Sequence, residues 1–151
     1  MKIEYLKGDC TRARSITGRP VAIAHIVNNQ GVWGAGFVLA LSALWPWLKN
    51  EYQAWIANYP EFGTRLKSST SEGLYILHLL AQRMSPDDQG RLVRLDALRS
   101  ALSHVALRDH QAEVHMPRIG CGIGGAVWSD IEPILNETLI AAGIPVYVYD
   151  L

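Results

Sequence analysis

Two segments of the chain combine glycines, amides and apolar flanks in a way that suits anion binding. The first is His25-Ile26-Val27-Asn28-Asn29-Gln30-Gly31-Val32-Trp33-Gly34-Ala35-Gly36. Here an apolar, β-rich run leaves through side-chain amides, crosses glycines and re-enters helical spacing. Glycine lets a backbone approach a ligand closely, and a helix N-terminus offers unpaired N–H groups. The helix dipole alone contributes only about 0.3–1 kcal/mol at an exposed site, so several N–H contacts are required. No Gly-Lys-Ser/Thr follows, which excludes a P-loop, and the dinucleotide pattern GxGxxG is absent. The second segment is Met116-Pro117-Arg118-Ile119-Gly120-Cys121-Gly122-Ile123-Gly124-Gly125. Its clustered glycines carry an entropic cost that packing alone does not justify, whereas a nest of backbone N–H groups around a phosphate would. Two such loops at strand ends of one sheet suit a diphosphate better than a single phosphate. A third feature is Gly8-Asp9. That carboxylate reads either as an acceptor for an exocyclic amine or ribose hydroxyl or as an ordinary turn residue.

Other reactive side chains read as structural. Cys121 has no histidine placed beside it by sequence and suits a small apolar filler better than a nucleophile. His25, His78 and His115 lie in apolar strands, where a hydrogen-bonded core or rim histidine is usual, and His104 and His110 read as surface residues. The tryptophans Trp45, Trp47, Trp55 and Trp128 belong to core or rim, and Trp33 sits inside the first loop.

The elements that must position these loops alternate. Ile3 to Lys7 reads as an edge strand, and Pro20 to Asn28 as a strand buried on both faces. Helical spacing runs to Leu44 and again from Glu51 to Ile56, with Pro46 between. Ser68 to Gly73 reads as a polar loop, and Leu74 to Ala81 as a second buried strand. Leu92, Leu95, Leu98, Leu102 and Val105 form one face of an amphipathic helix. Glu113 to Ile119 is a strand running into the second glycine loop. Ser129 and Glu132 suggest a capping box for a last helix ending near Gly143, and Pro145 to Tyr149 a final strand. The alternation predicts a three-layer α/β/α sandwich with a central mixed, mostly parallel sheet, whose ligands sit at the carboxyl ends of strands.

Tyr5-Leu-Lys-Gly-Asp9, the run from His25 to Gly36, the MPRIGCG stretch at 116–122, Trp128 and the ending Val146-Tyr-Val-Tyr-Asp-Leu151 resemble the macrodomains, the ADP-ribose-binding modules. The nearer resemblance is to their short branch, which includes the terminal ADP-ribose protein glycohydrolase and the yeast ADP-ribose-1″-phosphate phosphatase. The resemblance spans nearly the whole chain, with 63–71 and 86–91 least determined. It implies that Asp9 holds the adenine amino group with Cys10 contributing backbone. Gly34, Ala35, Gly36 and Phe37, with the loop of Arg118, Ile119, Gly120, Cys121, Gly122, Ile123, Gly124 and Gly125, would wrap the diphosphate. Asn28 would lie near the distal ribose and Leu151 near the adenosine end.

Two departures bear on mechanism. The glycohydrolase uses a lysine at the end of the central strand and an aspartate in the glycine loop; the matching positions are Gln82 and Gly124. Neither performs that covalent chemistry. A water-based hydrolysis at C1″ remains, with Asn28 and Gln82 orienting a water and His25 or the bound diphosphate taking its proton. The leading expectation is an ADP-ribosyl hydrolase; a non-catalytic ADP-ribose reader and a phosphatase acting on ADP-ribose-1″-phosphate are the alternatives.

Composition bounds the rest. The chain has 151 residues, the length of one domain (1–151), with 14 Lys plus Arg against 14 Asp plus Glu. Without a basic excess, an extended nucleic-acid tract or an anionic membrane is not the expected partner, though ADP-ribosylated protein, nucleic acid or a small molecule is. A hydrophobic fraction of 49% indicates a globular core. With two cysteines, no metal-ligand spacing and no apolar leader, the expectation is a cytoplasmic protein needing no metal or cofactor.

Overall fold

The two long apolar runs, β2 (Val21–Asn28) and β4 (Leu74–Gln82), lie side by side and parallel at the centre of the sheet. A computed structural model of the chain describes residues 1–71 and 73–151. Alternation along β2 sends Val21, Ile23 and Val27 to one hydrophobic layer and Ala22 and Ala24 to the other, which is why this strand carries almost no polar residues. With β1 (Glu4–Lys7), β3 (Arg65–Ser71), β5 (Glu113–Pro117) and β6 (Val146–Asp150), the strand order is β1-β6-β5-β2-β4-β3. All pairings are parallel except β3 on β4. Helices α1 (Phe37–Leu44) and α2 (Leu48–Ile56) cover one face through Leu41, Leu48 and Tyr52. On the other face lie α3 (Leu95–Arg108), α4 (Trp128–Leu135) and the π-helical turn Asn136–Ile140 that continues it. This is the expected three-layer sandwich. No helix among the described residues is long and apolar enough to cross a membrane.

Four local expectations are corrected. Ser68 to Ser71 is not loop but the second half of β3, while Glu72, within that expected loop, lies outside the described residues. Charged residues such as Lys67 are usual on an exposed sheet edge, where they discourage pairing with another strand, so β3 lacks the apolar run of the central strands. The helix begins at Leu95 rather than Leu92, because the N–H groups of Leu92 and Val93 are both spent on the Gly124 carbonyl, at 2.9 and 3.1 Å. β5 stops at Pro117, since the Ile119 amide turns back to the Pro117 carbonyl at 2.7 Å. The capping box does not form. Val127, not Ser129, is the N-cap of α4, and the Glu132 carboxylate accepts from the Tyr5 hydroxyl instead.

Candidate functional site

At the carboxyl ends of β2, β4 and β5 the two glycine loops face each other across a cavity of about 440 Å³. The first loop is held by Asn28. Its Oδ1 accepts from the Gln30 amide at 3.0 Å, the Val32 amide at 3.1 Å and the Tyr52 hydroxyl at 3.0 Å, and its Nδ2 donates to the Val32 carbonyl at 2.7 Å. The Tyr52 hydroxyl also lies 2.5 Å from the Asn28 carbonyl, and burial pushes that phenol up to about 12. So folded, the loop delivers Gly36, at φ 78°, as the N-cap of α1. A residue with a Cβ adopts that backbone only with strain. Gly36 brings no side-chain cap, and the first α1 amides, Phe37 and Val38, have no partner among the described residues. Both residues line the cavity. They are free to donate to an anion.

The second loop folds on itself. Gly120, at φ 77°, puts its carbonyl 2.9 Å from the Ala126 amide, and a Cβ at Gly120 would stand 2.8 Å from Ile131 Cδ1. A Cβ at Gly124 would stand 2.7 Å from both the Gly120 carbonyl oxygen and Val93 Cγ2. These contacts press the loop against the start of α3 and leave the amides of Gly122, Ile123 and Gly124 without a partner among the described residues. The two loops nearly touch: a Cβ on Gly36 would come 3.8 Å from Ile123 Cδ1.

Of the residues singled out in the sequence, His25, Asn28, Gln82, Gly34 to Phe37, Arg118, Ile119, Gly120, Gly122, Ile123 and Gly124 line this cavity. A bulge between Val27 and Asn28 sets Asn28 opposite Gln82, whose carboxamide has no partner among the described residues. Asp9, Cys10, Cys121, Gly125 and Leu151 are not among the lining residues. Asp9 follows β1, and its Oδ1 accepts from the Thr11 amide at 2.9 Å and the Thr11 hydroxyl at 2.6 Å. Those hydrogen bonds hold its carboxyl below the ordinary aspartate value. Cys10 is buried, which pushes its thiol up to about 12, and burial raises Cys121 as well. Neither is an activated thiol. Trp33 turns away from the loop into the core, where its indole N–H donates to Ser42 Oγ at 2.7 Å. Among the described residues no group of three or more His, Cys, Asp or Glu is placed to hold a metal ion.

Two constellations escaped the sequence reading. Arg118 forks onto Asp150, with Nε–Oδ1 at 2.7 Å and Nη2–Oδ2 at 3.0 Å, and its guanidinium lies 5.1 Å from the Tyr5 ring and 5.2 Å from the Trp128 ring. This ties the chain end to the cavity rim. The other is a buried imidazole pair: His25 Nε2 is 2.7 Å from His78 Nδ1, and His78 Nε2 is 3.0 Å from Ser68 Oγ. Both histidines are the fifth residue of their strands, and β2 and β4 pair in equal register from Val21 and Leu74. That equal offset was the available signal.

Burial lowers His78 to about 3, and burial followed by the neighbouring imidazole lowers His25 well below the usual histidine value. Both folded-state values lie under the unfolded one, so below pH 6.5 the unfolded chain binds protons that the native state refuses, and stability falls with acid. Each histidine contributes a slope of roughly 1.4 kcal/mol per pH unit. Buried His115 acts in the same direction. At Glu113 burial opposes ionisation, but hydrogen bonds from Thr17 and Ile16 outweigh it and bring the carboxyl to about 2. Its loss is therefore confined to lower pH. Urea midpoints are expected to drop steeply between pH 6.5 and 5; a flat profile there would contradict neutral buried imidazoles.

No family model matches the chain. A macrodomain protein from Streptomyces coelicolor is 35% identical with TM-score 0.85, covering 99% of both chains. A Bacteroides thetaiotaomicron protein of unknown function is 41% identical with TM-score 0.91, covering 100% of this chain and 99% of its own. Among curated relatives, an ADP-ribose 1″-phosphate phosphatase of Lodderomyces elongisporus is 26% identical over 99% of this chain and 100% of its own length. An ADP-ribose glycohydrolase of Homo sapiens is 23% identical over 99% and 92%.

Proposed function

The chain belongs to the macrodomain family, and from that membership we propose that it binds ADP-ribose and hydrolyses an ADP-ribosyl bond at C1″ of the distal ribose. The observation that carries this reading is the convergence of unpartnered amides from two strand ends, Phe37 and Val38 on one side and Gly122 to Gly124 on the other, on one cavity. The cavity's volume lies in the usual range for a small-molecule site. The diphosphate binds between these amides, as an anion does at a helix N-terminus and in a backbone nest. The distal ribose then lies toward Asn28 and Gln82, and the adenosine extends along the edge where Asp9, Cys10 and Leu151 stand. The ligand is a free or substrate-borne ADP-ribosyl group, on protein, nucleic acid or a small molecule.

The chemistry uses water. Gln82 has no amine to attack the ribose, and at Gly124 the backbone leaves no space for a side chain. With Oδ1 of Asn28 fully spent inside the loop, the polar groups left for a water are one Nδ2–H of Asn28, the free carboxamide of Gln82 and the His25 ring. Positioning of this kind lowers a barrier by several kcal/mol.

Two other readings draw on specific observations. The full-length match to a 1″-phosphate phosphatase supports phosphate monoester hydrolysis at the same ribose position. The glutamine and glycine in place of a nucleophile and an acid support a reader without turnover. A substrate panel separates them: aspartyl and glutamyl esters of ADP-ribose, ADP-ribosylated DNA, and ADP-ribose 1″-phosphate, each followed by chromatography. Release of ADP-ribose from an ester or from DNA is the expected result. Release of inorganic phosphate alone selects the phosphatase, and ADP-ribose binding without turnover selects the reader.

A further inference from the structure

The imidazole pair does not end at Ser68. Ser68 Oγ lies 2.5 Å from Oε1 of Glu51, a residue of α2 exposed to solvent. A continuous hydrogen-bonded chain thus runs from His25, on the cavity wall, through His78 and Ser68 to a surface carboxylate. His25, His78 and Ser68 are at most 2% exposed, so water does not compete along it.

The protons in this chain have one consistent arrangement. A carboxylate only accepts, so the Ser68 hydroxyl donates to Glu51. Its oxygen then accepts from Nε2–H of His78. A neutral His78 protonated at Nε2 leaves Nδ1 as an acceptor, so His25 donates to it through Nε2–H. His25 Nδ1 is left as a lone pair without a protein partner among the described residues, on a residue of the cavity lining. The carboxylate at the far end therefore sets which face of His25 is basic.

We infer that Glu51, Ser68 and His78 are positioning residues of a proton relay that lets His25 act as the base on a cavity water. The inference deepens the hydrolase reading and rests on it. When a water attacks C1″, its O–H bond breaks and the proton goes to His25 Nδ1. The Nε2 proton of His25 passes to His78 Nδ1, the Nε2 proton of His78 to Ser68 Oγ, and the Ser68 proton to the Glu51 carboxylate. The water oxygen forms the new bond to C1″, and the leaving group departs with the electron pair of the old one. Run in reverse, the chain returns the proton through His25 to the departing oxygen or to water entering the emptied cavity, which resets both tautomers.

Without the relay His25 is a poor base. Burial and the adjacent imidazole disfavour an imidazolium at this position. With it, neither ring holds a net charge at either end of the transfer, and the charge change appears at a solvated carboxylate. Three polar side chains placed among Ile23, Ile76, Trp33 and Tyr52 are also costly for a core that apolar residues would fill, and hydrogen bonding only offsets that cost.

The test uses the full chain with Glu51→Gln and Ser68→Ala, and the panel substrate that the wild type turns over. A glutamine at 51 still accepts from Ser68 through its carbonyl but takes up no proton. For both variants kcat is expected to fall roughly tenfold to a hundredfold. KM and the calorimetric affinity for ADP-ribose are expected to stay within about twofold. Imidazole ¹⁵N shifts of the wild type are expected to report protonation at Nε2 in both His25 and His78. Wild-type kcat in Glu51→Gln, or protonation at Nδ1 in either ring, overturns the relay and leaves the hydrolase reading standing. A wild type that cleaves nothing on the panel overturns the hydrolase reading and the relay with it.

Discussion

Gly124→Ala is expected to weaken ADP-ribose binding roughly a hundredfold, equivalent to about 2.7 kcal/mol. The new methyl group would meet the Gly120 carbonyl oxygen and Val93 Cγ2, each at 2.7 Å. The oxygen is backbone and does not swing away. The same Gly120 oxygen accepts from Ala126, and the Gly124 carbonyl itself accepts from Leu92 and Val93, so any shift propagates to the start of α3 and to the amides of Gly122 and Ile123. Overpacking of this kind costs about 1–3 kcal/mol of stability. Gly122→Ala is the contrast, because a Cβ there meets nothing within 4 Å. Thermal melts of the two variants, alongside ADP-ribose titrations, separate loop packing from direct obstruction. An unchanged melting temperature and affinity in Gly124→Ala would contradict the packed-loop description.

Asn28→Ala is expected to lower stability by about 3 kcal/mol and to abolish ADP-ribose binding. One carboxamide holds the Gln30 amide, both polar groups of Val32 and the Tyr52 hydroxyl. The Tyr52 hydroxyl keeps the Asn28 backbone carbonyl, but the Gln30 amide and both polar groups of Val32 lose the carboxamide that folds the loop. For a chain of this length such a loss lowers the melting temperature by roughly 6–12 °C. The first glycine loop would no longer present Phe37 and Val38 to the cavity. Differential scanning calorimetry and ADP-ribose titration check both halves. A variant that melts normally but fails to turn over would place Asn28 in the chemistry alone, contrary to its hydrogen bonding.

The legible parts of the fold were those where one strand had to satisfy two apolar layers. Val21 to Val27 and Leu74 to Ala81 read as buried strands because nearly every side chain is apolar. The glycine loops read as ligand loops because clustered glycines show no packing rationale in sequence; the fold corrects this at Gly120 and Gly124, where a Cβ would stand under 3 Å from its neighbours. β3 was illegible for the opposite reason. Lys67 and Ser69 are exposed on an open edge, Arg65 is tied to the buried Asp109, and the buried Ser68 is polar. The relay was hidden by that same misreading, since Ser68 belonged to an expected loop and Glu51 to an amphipathic helix with no sign of a partner across the sheet. His78 was visible only as a core histidine; its pairing with His25 depends on the parallel register of β2 and β4. Arg118 appeared in its motif, but its fork to Asp150 requires β5 and β6 to be neighbours, which spacing does not reveal.

Calorimetric titration with ADP-ribose, adenosine and ADP addresses the diphosphate grip itself. One molecule of ADP-ribose per chain is expected to bind at micromolar strength, roughly −8 kcal/mol. ADP is expected to compete for the site and adenosine to fail. No heat with ADP-ribose up to millimolar concentration, or equal binding of adenosine, would contradict a site built on the unpartnered amides of the two loops.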